Sequence, residues 1–323
     1  MGCQLNFKTA TLFLVFVTSL ALSSAGQAAV RDKHTVAVKS CLKSGWKPLN
    51  VKVAGRERAV LWKRPWSRWK KGAIVVLHGG GGSHHQFCAG GRILKPQIAF
   101  AQQAVDEGFA VFLLDSTDGL VVDKKGNNCG KRFDFPVLNR RNLDLHFIGK
   151  MVKTIIPQLR PGRSSKKIFL TGLSTGGYMA IRAATHFNSK ITAFAPVAAG
   201  DPYATRMDCD ATLSKRKSAK GILLDIDTHK SITKKGACRS SAYLNEKAWP
   251  KTRSRAKPVF KQFHHKDDAI VDFSCMQKVK KQLQKHGYAS KGQFVLKSGR
   301  RKVRNHLWLE AYNDAILKFF KSQ

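Results

Sequence analysis

Acidic side chains are scarce in this chain: 20 Asp and Glu stand against 58 Lys and Arg in 323 residues, a formal net charge of +38 at pH 7. Such a field favours polyanionic surroundings, among them an anionic cell-envelope surface, acidic polymers and nucleic acid. No nucleic-acid-binding motif accompanies the charge, so no specific nucleic-acid partner is expected. The cations are scattered, with dense patches at 63–71, 214–220, 251–257 and 297–304. We read them as an adaptation to location or partner, a plain solvated basic surface being the rival reading. Also missing are internal repeats, low-complexity tracts and an interdomain linker. There is no Cys-x-x-Cys pair or Cys/His spacing of a metal site, no Gly-Lys-[Ser/Thr] ending of a phosphate loop, and no dinucleotide fingerprint with a following acid. No metal or organic cofactor is therefore expected.

Long apolar runs are absent except at the start. Lys8 precedes an apolar stretch from Thr9 to Leu22, followed by small residues up to Ala28 and Ala29. That stretch is short for a bilayer span, and the pattern reads as a signal peptide over residues 1–29 rather than an uncleaved anchor. Cys3 lies ahead of the run, so it is not a lipidated cysteine. The expected product is exported, periplasmic or secreted. Six cysteines remain (Cys41, Cys88, Cys129, Cys209, Cys238, Cys275), which in an oxidising compartment allow up to three disulfides in any of fifteen pairings.

Residues 30–323 suit one α/β domain with a sizeable core. Apolar strand-like runs at 59–62, 73–77, 109–114, 167–171, 191–197, 222–226, 259–263 and 293–296 alternate with helical stretches near 96–107, 142–159, 178–184, 275–286 and 306–320. Continuous apolar strands separated by helices indicate a mainly parallel sheet covered on both faces, with the chemistry at the strands' carboxyl ends. Residues 200–255, rich in Lys, Arg and Ser, stay open as a lid or a substrate-binding insertion. Trp62, Trp66 and Trp69 share one segment with five cations. They form either a hairpin whose indoles pack on the core, the favoured reading, or a surface that rests on a polymer or membrane interface.

Gly172-Leu173-Ser174-Thr175-Gly176-Gly177 matches the Gly-x-Ser-x-Gly elbow, between a strand-like run and a helix start. The turn needs glycines two residues either side of the serine, where a Cβ would clash. Ser174 is the candidate nucleophile. Its hydroxyl needs a base, and the base needs a partner that fixes its tautomer. His306, 38 residues after Asp268 and between the last strand and the C-terminal helix, is the candidate base. Asp268, just past a strand end, is the candidate acid, followed by Asp267 and Asp272. Asp225 and Asp227 are a further alternative. His264 and His265 lie too near the acid loop to be preferred. The loop His78-Gly79-Gly80-Gly81-Gly82-Ser83 offers unobstructed amides for an oxyanion, Gly80 or Gly81 joining Thr175.

These segments resemble the α/β-hydrolase esterases grouped with polyhydroxybutyrate depolymerases and feruloyl esterases. The likeness rests on the His78 glycine loop, the elbow through Ala180, the acid loop from His264 to Val271, and His306 with Trp308. It runs from about residue 58 to the C-terminus. His265 stands where that family usually carries glycine. The resemblance implies an α/β-hydrolase fold and two-step acyl transfer on a small or polymeric ester substrate, without cofactor. Rival readings are a serine peptidase of the same fold and a catalytically silent protein that binds anionic envelope polymers.

Overall fold

The computed structural model describes residues 35–122, 128–135, 141–203, 239–240, 249–250, 257–300 and 302–323. The expected signal peptide, Cys209, Cys238, Asp225, Asp227, the 222–226 strand and most of 200–255 lie outside them.

A short helix at 35–43 leads into a hairpin, β1 (Lys47–Val53) and β2 (Arg56–Lys63), whose first strand the sequence pattern had not marked. β3 (Gly72–Leu77), β4 (Phe109–Leu114) and β7 (Ile168–Leu173) are buried along their whole length. That explains their unbroken apolar runs: a strand covered on both faces has no polar side to alternate with. β5 (Thr117–Val122) and β6 (Asn128–Arg132) form a side sheet, followed by β8 (Ala193–Val197), β9 (Arg239–Ser240), β10 (Val259–His265) and β11 (Ser290–Leu296). The main sheet has the order β1-β2-β4-β3-β7-β8-β10-β11, and the side sheet β6-β5-β9. β1 and β2 pair antiparallel with their neighbours, while the six strands from β4 to β11 run parallel.

The period of two within each strand divides the core. Ala73, Val75 and Leu77 face a layer holding the helices Leu145–Lys150, Thr175–His186 and Phe273–Lys285. Ile74 and Val76 face a layer built on Lys95–Asp106 and Tyr312–Lys321. Each fully buried aliphatic or aromatic side chain contributes about 1.5–3 kcal/mol relative to exposure. The helix expected over 142–159 is broken into Leu145–Lys150, a wide turn at Met151–Ile155, and Ile156–Leu159. Pro157 explains the break, because it has no N–H for the carbonyl four residues back and its ring crowds that carbonyl. The last helix begins at Tyr312 rather than near His306, which sits in a 3-10 turn, Val303–His306.

Cys41 and Cys88 form a disulfide across 47 residues, tying the 35–43 helix to the segment after the glycine loop. Closing a loop of that length in the unfolded chain is worth about 4 kcal/mol in the chain-entropy picture. Cys275 is buried, and Cys209 and Cys238 lie outside the described residues. Among the described residues no helix is long and apolar enough to cross a membrane. The tryptophan segment divides: Trp69 is buried, Trp62 stacks on Phe112, and Trp66 is fully exposed. The core-packing reading therefore holds for the first and last indoles and not for the middle one.

Candidate active site

β7 ends at Leu173, and the helix Thr175–His186 starts two residues later. Ser174 between them has φ 52° and ψ −118°, a left-handed backbone that a side chain rarely adopts and that is retained where surrounding structure enforces it. The flanking glycines are required by space. A Cβ on Gly176 would lie 2.3 Å from the Leu77 carbonyl oxygen and 2.4 Å from that of His78, and one on Gly172 would lie 2.6 Å from the Gly176 backbone. The elbow is thus wedged against the start of the glycine loop. Ser174 N–H donates to the Val197 carbonyl at 2.9 Å, and Ala198 N–H to the Phe263 carbonyl at 2.9 Å. These bonds stitch together the carboxyl ends of β7, β8 and β10.

Beyond β10 the chain turns into the acid loop. The two adjacent acids there have different surroundings. Asp268 is fully buried and accepts His306 Nδ1–H at 2.8 Å on Oδ2, with the Ile270 and Val271 amides on Oδ1 at 2.7 and 3.1 Å. Burial opposes its ionisation, but the charge and hydrogen bond of His306 outweigh burial and hold the carboxyl below its usual range. Asp267 instead accepts the Ser298 and Gly299 amides at 2.8 Å each. Asp272 caps the helix Phe273–Lys285 by accepting Ser274 N–H. Asp268 is therefore the carboxylate that His306 meets.

His264 is also buried, 3.6 Å from Asp268, and its Nε2 lies 3.0 Å from the Val271 carbonyl. Burial lowers its pKa and favours the neutral ring. Nδ1 of His265 accepts the Asp267 amide. His265 lies within β10, outside the left-handed region, so no glycine is required where the resembled family carries one.

The glycine loop requires one correction. The Gly81 amide donates to the Lys131 carbonyl at 2.9 Å, within the antiparallel bridge of Gly82 and Lys131, and is committed there. Gly80 and Thr175 have no acceptor for their amides among the described residues. Ser174 Oγ is buried and makes no hydrogen bond, to His306 or to any other described residue. The structure thus joins Asp268 to His306 and sets Ser174 at the same sheet edge, without a bond between serine and histidine.

A second buried cluster went unmarked in the sequence. Asp115 follows β4 directly and is 2% exposed. It accepts Ser83 Oγ–H at 2.9 Å and the His84 amide at 3.3 Å, and pairs with the Lys131 ammonium. The His78 and His84 rings lie 3.5 and 3.4 Å from it. Burial opposes its charge, yet the two imidazoles beside it hold the carboxyl well below the usual range. The Ser116 amide donates to His78 Nε2, so the Nδ1 proton of His78 points to the Gly79 carbonyl, 2.7 Å away. One carboxylate thereby braces both ends of the glycine loop. The signal that selected Asp268, an acid immediately past a strand end, would also have found Asp115. Among the described residues no group of His, Cys, Asp and Glu is arranged to hold a metal ion.

No protein-family model matches the chain, and no curated protein does. Solved structures do. An esterase from Pyrococcus furiosus superposes with TM-score 0.54 at 15% identity, covering 86% of this chain and 92% of that one. A fluorophosphonate-binding serine hydrolase of Staphylococcus aureus gives 0.51 at 15%, over 86% and 98%. An acylaminoacyl peptidase gives 0.53 at 14%, over 85% of this chain but 41% of its own. At such identities the likeness establishes architecture. The chain has the α/β-hydrolase fold.

Proposed function

We propose that this protein is an exported serine hydrolase that cleaves carboxylic esters through Ser174, His306 and Asp268. The observation that carries the reading is the buried 2.8 Å bond from His306 Nδ1 to Asp268, set at the same sheet edge as a serine in a strained elbow. Asp268 accepts the Nδ1–H hydrogen bond, so the lone pair sits on Nε2, where a base must hold it. Ser174 Oγ attacks the ester carbonyl carbon as its proton passes to His306 Nε2. The carbonyl π electrons move onto oxygen, which the Gly80 and Thr175 amides receive. Each such donor contributes about 3–4 kcal/mol in the transition state. Collapse expels the alcohol, which takes the proton from His306 and leaves an acyl-serine. Water, deprotonated by the same ring, releases the acid and restores the serine.

Ser174 and His306 must close to hydrogen-bond distance in the substrate complex; free enzymes often hold such pairs apart. Nothing in this chemistry calls for a cofactor. A polyester such as polyhydroxybutyrate and esterified aromatic or sugar compounds both suit the resembled family, with the basic surface associating with an anionic envelope. The Cys41–Cys88 bridge supports export. The test is labelling by a fluorophosphonate and release of chromophore from short acyl esters. Full turnover in Ser174→Ala eliminates the reading, and a matched amide panel separates an esterase from a peptidase.

A further inference from the structure

The loop between β2 and β3 carries Trp66, which is 102% exposed, as open to water as a tryptophan in an isolated peptide. Its two companions are engaged: Trp69 is buried and Trp62 stacks on Phe112. They fix the loop at both ends, and Pro65 holds one backbone torsion beside the ring. A second loop braces the first. Trp69 N–H donates to Ser164 Oγ at 3.0 Å, and Ser165 N–H to the Trp69 carbonyl at 2.9 Å. Gly72, at φ 102°, packs so closely that a Cβ there would meet the Lys167 carbonyl oxygen at 2.4 Å. Trp66 is therefore held outward on a rigid base. In water it adds nothing to the fold, since apolar surface stabilises only when it is removed from water.

Cations surround the ring. Arg64, Arg68, Lys70 and Lys71 on the first loop, with Arg163 and Lys166 on the second, are exposed, and none forms an ion pair with a carboxylate among the described residues. Lys71 N–H donates to the Gly108 carbonyl, which brings Asp106 and Glu107 near. Asp106 accepts the Gln102 amide and Glu107 pairs with Lys321 at 2.7 Å, so the surface stays strongly positive. β2 runs antiparallel to β4 and β3 parallel to it, which sets both loops at the amino ends of β3 and β7. That pole is opposite the rim of Ser174 and His306. The six residues of β3 span the distance between the poles, about 20 Å.

An outward indole among cations matches the interface of an anionic lipid bilayer. There the ring sits at headgroup level while ammonium and guanidinium groups meet phosphates. Nucleic acid also offers phosphates, but strands bound without sequence preference stack on several rings along a groove. Here a single fully exposed ring stands at the pole. We propose that this pole docks on an anionic lipid bilayer, with Trp66 entering the headgroup layer and the catalytic rim facing away from the lipid. The proposal deepens the envelope association of the functional reading and rests on that association, not on ester cleavage.

The experiment uses the whole protein and sucrose-loaded vesicles, either phosphatidylglycerol and phosphatidylcholine in equal parts or phosphatidylcholine alone, and reads the bound fraction by sedimentation. Binding is expected on the anionic vesicles only, weakening as salt rises. Arg64→Gln combined with Arg68→Gln should weaken it about thirtyfold, and Trp66→Ala about tenfold. Lys278→Gln with Lys281→Gln, the same charge loss on the helix Phe273–Lys285, should change it by no more than about threefold. Brominated acyl chains should quench the fluorescence of the wild type and not that of Trp66→Ala. Equal losses in the two double variants, or undiminished quenching in Trp66→Ala, overturn the proposal and leave the envelope association to the general field of the protein. Absence of binding to the anionic vesicles also overturns it. Single-stranded oligothymidylate bound with the same dependence on Trp66, in place of vesicles, would assign the pole to nucleic acid and overturn it too. Turnover of a chromogenic ester, read on the same samples, tests the esterase reading separately and should not change with vesicles.

Discussion

Two buried carboxylates stand at the same edge of the sheet, each with a pair of histidines, and they are built for different work. Asp268 takes a direct 2.8 Å bond from one imidazole and fills its other oxygen with two amides of its own loop. Asp115 keeps its imidazoles at 3.4 and 3.5 Å and gives its oxygens to a hydroxyl, an amide and an ammonium. The ingredients match, but the geometry separates a carboxylate that orients a base from one that anchors a loop. A short aligned bond fixes ring rotation and tautomer, whereas the more distant rings contribute field without orientation.

The largest test of that division removes what Asp268 is proposed to serve. Ser174→Ala should lower kcat on a chromogenic ester by about 10^4-fold or more, and Asp268→Asn by about 10^4-fold. Asparagine offers an N–H where His306 needs an acceptor and so selects the wrong tautomer. Asp115→Asn should invert the pattern. Its kcat loss should be about 10- to 100-fold, through displacement of the glycine loop, while its stability falls by about 2 kcal/mol. The asymmetry has a chemical origin: in Asp268→Asn the His306 ring can change tautomer and stay bonded to the new amide, whereas in Asp115→Asn the Lys131 ammonium cannot discard its charge as readily. Urea unfolding beside steady-state kinetics reads both. Equal kinetic losses in the two variants would erase the distinction.

Much of this site was legible in the sequence because its signals are local. The elbow needs glycines within two residues of Ser174, and a Cβ at Gly176 would meet carbonyl oxygen at 2.3 Å, so the requirement is written into a hexapeptide. Asp268 and His306 follow from strand order, since parallel strands bring their carboxyl ends to one rim. Asp115 and its neighbours were not legible. Its partners come from residues 78, 83, 84 and 131, brought together by β6 crossing beside the loop, and no short-range pattern encodes that. The same crossing removed Gly81 from the oxyanion candidates. β1 was missed because its burial mixes exposed and buried positions at a sheet edge, without the apolar run that marks the interior strands.

Acid should sharpen the comparison further. Both carboxyls are depressed in the folded state, Asp115 well below the usual range. Each contributes stability that is complete above the unfolded Asp value of about 3.9 and is lost as pH falls through the folded value. Asp144 opposes this: burial raises its carboxyl despite Arg58, so it favours the native state at low pH and loses that contribution as pH rises through its folded value. Urea midpoints measured from pH 5 downward should therefore fall in the wild type and fall less steeply in Asp115→Asn. Parallel slopes would show that the Asp115 cluster carries no net linkage.

The smallest effect is expected one residue from the largest. Asp267 faces solvent, and amides of Ser298 and Gly299, first among them Ser298, hold its carboxyl below the usual range. An asparagine side chain at this position keeps, in its Oδ1, an acceptor for the single oxygen that both amides share, and does not touch the His306 ring, which Asp268 alone of the two acids bonds. Asp267→Asn should therefore leave kcat within about threefold of wild type, with any change arising from a looser 298–299 turn. The pair Asp267→Asn and Asp268→Asn, assayed side by side on one ester, isolates a burial difference between adjacent carboxylates. A large kcat loss in the first would move the orienting role off Asp268, and with it the contrast to Asp115.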